Sequence, residues 1–245
     1  MRGARQAETA QGGASSTRIA ALLLDIDDTL LDTRSAMRRA AARCIAQVWP
    51  EATDRAEELG VRYHADPGGF FGGYTRGELT FAAMRESRLR EVATHGGLPW
   101  GADAFAGFEQ GWPAAFRAGT RAFDDVAGLL DRARADGILV GALTNSSTEF
   151  TTLKLEVVGL SDAFTAIATT DTLGYGKPDA RAFWRACELL GSAPEQTVYV
   201  GDDLAVDAQA AVAAGLHGVW LDRRGQWGGG GVGVPVAASL DAVSW

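Results

Sequence analysis

Residues 22–33 read LLLDIDDTLLDT: an apolar run that ends in Asp25, Asp27 and Asp28 within four positions. In an extended chain alternate side chains share a face, so Asp25 and Asp27 point one way while Ile26 turns towards a core. Two unit charges about 4 Å apart repel by roughly 4 kcal/mol at an effective dielectric of 20. Such a pair needs a cation between its members or a shared proton. Either arrangement is chemically useful, because one carboxylate can serve as a nucleophile and the other in acid–base catalysis.

Three other segments carry groups that could complete this chemistry. LTNS places the Thr144 hydroxyl and the Asn145 backbone N–H, two donors for an anion, at the end of a second apolar run. GYGKPD places Lys177 before Pro178, a residue favoured in the first turn of a helix. The chain has two lysines, and the other is Lys154. VYVGDDLAVD brings Gly201, which suits a tight turn, together with Asp202, Asp203 and Asp207. Oxygen donors without His or Cys suit a hard cation, and Mg2+ in particular where several waters are kept. Acids held in check by a divalent cation and Lys177 leave room for an oxygen-rich anion. A phosphoryl group fits, since its transfer depends mainly on positioning and charge neutralisation.

The elements that must position these residues alternate. Residues 18–27, 137–145 and 197–203 read as strands buried on both faces, and 163–170 and 217–222 supply two more. Between them, helical patterns occupy 124–137 and 179–191. This predicts a doubly wound, Rossmann-like α/β parallel sheet, which takes its ligands beyond the carboxyl ends of its strands. Residues 34–118 break the rhythm. Met37, Ala41, Cys44, Ile45 and Val48 form one apolar helical stripe, and Leu79, Ala82, Ala83, Met84 and Leu89 form another. An inserted all-helical cap of about four helices is expected here, with 18–33 and 119–245 as the core. The loop 66–77 is read either as a flexible connection with Phe70, Phe71 and Tyr74 tucked into the helical core, or as a substrate-selecting loop. The Gly-rich stretch 225–235 lacks phosphate-loop spacing and reads as a surface loop before a terminal turn.

The 245 residues carry a formal charge of −8, which disfavours nucleic acid and anionic lipid as partners. Cys44 and Cys187 suit neither a disulfide framework nor a zinc site and are expected in the core. Residues 1–17 read as a disordered tail rather than a signal or an anchor, and no run approaches the roughly 20 apolar residues of a membrane span. A cytoplasmic location is the expectation. Composition does not reveal the oligomeric state.

The four motifs together resemble those of the haloacid dehalogenase superfamily, in its phosphatase branch: Asp25-Ile-Asp27-Asp-Thr29, Thr144-Asn145, Lys177-Pro178, and Gly201-Asp202-Asp203 with Asp207. The resemblance spans residues 19–222, and the helical insertion is similar to the family's helical cap. It implies that Asp25 attacks phosphorus to form an aspartyl-phosphate and that Asp27 acts as acid and then base. Thr144 would hold phosphoryl oxygens, and Lys177 would tie nucleophile to phosphate. Mg2+ would be ligated by Asp25, the Asp27 main-chain carbonyl and Asp202, with Asp203 and Asp207 sharing the metal shell or Asp207 orienting Lys177. Thr29, Asn145 and Arg76 complete the expected substrate-binding set, with Phe70, Phe71, Tyr74, Trp100 and Trp112 as further candidates in the cap. Where many relatives have Ser after Gly-Asp and Asn before the last Asp, this chain has Asp203 and Val206. The implied activity is hydrolysis of a small phosphorylated metabolite. The alternatives are a dehalogenase or phosphomutase on the same fold, or an inactive binding module. A halide leaves without a proton, so Asp27 and Asp202 favour phosphate esters over dehalogenation.

Overall fold

The computed structural model describes residues 18–245, so the tail expected at 1–17 lies outside the described residues. Strands β1 (Ala21–Leu24), β2 (Leu139–Leu143), β3 (Ala166–Ala168), β4 (Thr197–Gly201), β5 (His217–Leu221) and β6 (Val236–Ala237) form one parallel sheet in the order β3-β2-β1-β4-β5-β6. Alternation along β1 explains why it is central. Leu22 and Leu24 pack with Val126, Leu129 and Val140 on one face, while Ala21 and Leu23 pack with Phe183, Ala186 and Leu190 on the other. Helix α6 (Val126–Ala135) precedes β2 and α7 (Thr148–Val157) follows it; after the four-residue α8 (Thr170–Leu173), α9 (Ala180–Leu190) lies on the second face. The expected α/β architecture is therefore observed. The short β6 was not anticipated, because two residues after a Gly-rich stretch display no period that could be read.

β1 is flanked by β2 on one side and β4 on the other, and this is where the strand order reverses. Register places Leu24 level with Ala142 and with Val200. The three strands thus end within a residue or two of each other, and Asp25, Thr144 and Asp202 leave the sheet at one edge. A crevice at such a switch point is where a doubly wound sheet binds its ligand.

Between β1 and α6 the described residues form five α-helices rather than the expected four: α1 (Thr33–Val48), α2 (Ala56–Ala65), α3 (Phe70–Thr75), α4 (Phe81–Gly96) and α5 (Ala104–Gly119). They enclose an apolar cluster separate from those of the sheet, built from the alanine-rich face of α1 and from Tyr63, Phe108, Trp112 and Phe116. Small residues allow close helix contact, since a Cβ on Gly60 would overlap the Arg38 carbonyl and one on Gly119 would lie 3.3 Å from Ala36. Arg85 is buried in this cluster, 4.1 Å from the Trp112 ring and bonded to Glu109 at 2.6 and 2.8 Å. Cys44 and Cys187 are buried and unbridged. Loop 66–77 contains the short helix α3, and Phe71 and Tyr74 are exposed rather than tucked into the helical core. Their rings instead form a surface row with Phe81, which lies 5.5 Å from Tyr74. The insertion touches the sheet layer through Phe116, stacked on Phe150 of α7 at 4.8 Å.

Candidate active site

Asp25 follows β1 directly, and its backbone N–H is held by the Val200 carbonyl at 2.9 Å. The Lys177 ammonium donates to Asp25 Oδ1 at 2.5 Å, to Asp207 Oδ1 at 2.6 Å and to the Tyr199 hydroxyl at 2.9 Å. All four residues are buried. Lys177 is fixed in turn by Asn145, whose side chain accepts from the Lys177 N–H at 2.7 Å and donates to the Lys177 carbonyl at 2.8 Å. A Cβ on the adjacent Gly176 would collide with that amide. The end of β2 therefore grips the Lys177 loop. The Asn145 side chain is thus spent on lysine placement, a role additional to the backbone N–H donor expected of this residue. Pro178 lies before the Asp179 N-cap of α9, not inside the first turn, and the Lys177–Pro178 peptide is cis.

Asp25, Asp202 and Asp207 each offer a carboxylate oxygen within 4.8 Å of the others. Burial, with help from the charges of Asp207 and Asp27, raises the Asp25 carboxyl well above the ordinary range despite the opposing charge of Lys177. Asp202 is pushed up to about 7 by burial and by the charges of Asp28 and Asp207. A hard cation at this place would remove that electrostatic cost, and an all-carboxylate donor set has the chemistry for one. Asp207 arrives from the wide helical turn Leu204–Gln209. Gly201 is needed for a reason other than a tight turn: its φ is not positive, but a Cβ there would overlap the carboxyl carbon of Asp207.

Asp27 has its own cation. Lys154, on α7 and wholly buried, reaches Asp27 Oδ1 at 2.6 Å and Oδ2 at 2.7 Å. Thr33, the first residue of α1, donates its hydroxyl to the same Oδ1 at 2.6 Å. In the sequence Lys154 stands only as the second lysine, and no motif assigns it a role. The available signal was a lysine within the TEFTTLKLEV helix, between residues that bury, because a buried ammonium requires an acid partner.

Three expected site residues are used elsewhere. Asp203 is exposed and caps the following turn, accepting from the N–H groups of Ala205 and Val206 at 2.9 and 2.8 Å, so it stands outside the carboxylate cluster. Thr29 is entirely buried, with an unpartnered hydroxyl and a carbonyl that accepts from Arg223, and so does not line an open pocket. Arg76 is exposed and paired with Glu78 through two bonds of 2.7 and 2.8 Å. Trp112 lies in the helical core and Trp100 packs against Trp49. Thr144 is buried at the end of β2, where its hydroxyl accepts from the Ser146 N–H at 3.1 Å.

The sequence pattern of the haloacid dehalogenase-like hydrolases matches residues 19–215, a span that contains all four acidic and basic motifs of this pocket. The chain belongs to that family. This haloacid dehalogenase-like hydrolase is 31% identical to a phosphoserine phosphatase of Thermus thermophilus, covering 82% of the chain and 88% of that relative. It is 30% identical to a ribulose-1,5-bisphosphate 5-phosphatase of Halopiger xanaduensis, over 82% and 84% of the two chains. Its fold is that of the hydrolase YfnB of Bacillus subtilis, solved bound to magnesium, with a TM-score of 0.72 at 21% identity over 91% and 96% of the chains. The L-2-haloacid dehalogenase of Xanthobacter autotrophicus shares the fold as well, with a TM-score of 0.61 at 20% identity over 85% and 79% of the chains. No helix among the described residues is long and apolar enough to cross a membrane.

Proposed function

We propose that this hydrolase is a Mg2+-dependent phosphatase of small phosphorylated metabolites, that Asp25 is its nucleophile, and that the helical insertion 34–118 closes over the site as a cap. The observation that carries the reading is the gathering of Asp25, Asp202 and Asp207 within 4.8 Å around one lysine, with Asp27 two residues from the nucleophile. Asp25 Oδ attacks phosphorus, the ester P–O bond breaks, and the leaving oxygen takes a proton from Asp27. Asp27 then removes a proton from water, the water oxygen attacks the aspartyl-phosphate, and the bond to Asp25 Oδ breaks to release phosphate. Lys177 orients Asp25 throughout, and Thr33 and Lys154 hold Asp27 against the reaction centre. Asp25 and Asp202, with the Asp27 carbonyl, are the groups that would hold Mg2+, and Asp207 acts by anchoring Lys177. The ion, when bound, neutralises charge that develops on the phosphoryl oxygens.

Phosphatase activity in relatives of 31% and 30% identity supports this reading. The dehalogenase likeness rests on the fold alone, and a halide leaving group would make no use of Asp27. Release of para-nitrophenol from its phosphate ester, with and without Mg2+, tests the proposal, with chloride release from 2-chloropropionate as the comparison. Metal-dependent phosphate release is expected. Chloride release without ester hydrolysis would overturn the reading.

A further inference from the structure

A cleft of about 250 Å3 lies between α1 and α5, lined by Arg39, Arg43, Ala115, Ala118, Gly119 and Arg121. Neither Asp25, Asp27 nor Lys177 borders it. It sits at the base of the helical insertion, where the chain leaves the sheet layer and returns to it. There the Asp32 N–H donates to the Arg121 carbonyl at 3.0 Å, and Leu31 pairs with Ala122.

Residue spacing explains the cleft. Arg39 and Arg43 are four apart on α1, and Ala115 and Gly119 are four apart on α5, so each pair shares a helix face. The small residues of α5 leave open the space that the arginines of α1 border. No acid lines it, although the chain carries 31 acids against 23 Lys and Arg. Arg39 donates to the Gly119 carbonyl at 3.1 Å, and its ion-pair partner Asp32 is 4.0 Å away. Arg121 donates to the Thr120 carbonyl at 2.7 Å. These bonds cap the end of α5 and use one donor of each guanidinium, which has five. Arg43 makes no hydrogen bond or ion pair among the described residues. Like charges four apart on a helix repel, and an anion between them reverses the sign of that contact. The planar fork of a guanidinium matches a phosphate better than it matches a spherical halide.

We infer that this cleft is an anion site separate from the carboxylate cluster, and that it binds a phosphate dianion between α1, α5 and Arg121. The inference does not depend on what the Asp25 pocket hydrolyses. A ligand held there joins two helices of the insertion to the segment that returns to the sheet, so its binding stabilises the folded chain.

The test is calorimetric titration of the full-length protein with inorganic phosphate, after removal of divalent metal on a chelating resin. Without metal, the carboxylate cluster repels phosphate and the cleft does not. Ionic strength is held constant with chloride, because salt screens exposed charges. Phosphate is expected to bind and to raise the melting temperature where added chloride does neither. Arg43→Gln removes no hydrogen bond of the free protein and should weaken phosphate binding by about fivefold or more, while Arg43→Lys keeps part of the affinity. Arg121→Gln provides an independent second variant. Propylphosphonate carries the same dianion on an organic chain and separates the sources. Equal affinity supports a phosphoryl group on a larger molecule, and binding of phosphate alone supports the free ion. No binding by the wild type, an equal effect of chloride, or unchanged affinity in both variants would overturn the inference, the last by placing the ion elsewhere.

Discussion

The Lys154 ammonium lies 2.6 and 2.7 Å from the two carboxylate oxygens of Asp27, and Lys177 lies 2.5 Å from Asp25. The only two lysines of the chain therefore serve the two acids of one Asp-Ile-Asp motif. Alternation along the chain directs both acids to one face, where unpaired they would repel by roughly 4 kcal/mol. Lysines from opposite sides of β1, one on the helix after β2 and one on the loop before α9, offset that repulsion.

Lys154→Met should lower kcat towards para-nitrophenyl phosphate by about tenfold or more with little change in KM, because Asp27 loses the group that holds it while substrate contacts remain. Acid–base catalysis contributes about 10²–10⁴-fold, which bounds the loss. Lys154→Arg should recover part of the rate. Steady-state kinetics on the three proteins decide, and a wild-type kcat in Lys154→Met would remove Asp27 placement from the account.

Asp25→Asn should abolish turnover while the protein stays folded. Lys177 keeps Asp207 and Tyr199 as partners, and the substitution removes one of several like charges that crowd the pocket. The melting temperature of the metal-free variant is expected to equal or exceed that of the wild type. Residual turnover above about 1% of wild type would point to another nucleophile.

Stability of the metal-free protein should fall as pH rises from 6.5 to 8. Asp25 and Asp202 hold protons in the folded chain above the ordinary carboxylate range, Asp202 up to about 7, whereas unfolded Asp releases its proton near 3.9. The folded state binds more protons between those limits, so stability decreases with pH until the folded groups have titrated. His64, pushed down to about 4, acts in the opposite sense below the ordinary histidine range, which is why the reading is taken above 6.5. A loss of several degrees in Tm, reversed by millimolar Mg2+, is expected from thermal scans. A Tm independent of both pH and Mg2+ would contradict the carboxylate cluster as a cation site.

Gly201→Ala should cost activity and stability together. The new Cβ would overlap the carboxyl carbon of Asp207, whose side chain must shift and draw Lys177 away from Asp25. A loss of about 2 kcal/mol in denaturant unfolding and at least a tenfold fall in kcat are expected. Gly137→Ala provides the control, because Gly137 has a φ of 69° with nothing near its Cβ, so strain there should lower stability without changing kcat.

Much of the pocket was legible because its signals are local. Apolar runs that end in acids mark β1 and β4, and the order of the motifs places Asp25, Thr144 and Asp202 at strand ends and Lys177 in the loop that leads into a helix. The helices of the insertion followed from periodicity, although their number did not, since α3 is a six-residue element in a glycine-rich loop. Asp203 looked like a metal ligand because adjacent acids in a sequence do not reveal which one bends back to cap the next turn. Arg76 looked available because its pairing with Glu78 depends on side-chain geometry.

By itself, then, the order of residues determined the family, the parallel sheet and the acids at its carboxyl edge, since these depend on patterns within a few positions of each other. Only the tertiary structure decided that Lys154 serves Asp27 across 127 positions and that Asn145 grips Lys177 across 32. Pairings of that kind are set by which faces the packed elements turn towards one another. No local period or motif encodes them, because a buried charge is satisfied by neighbours in space rather than by neighbours in the chain.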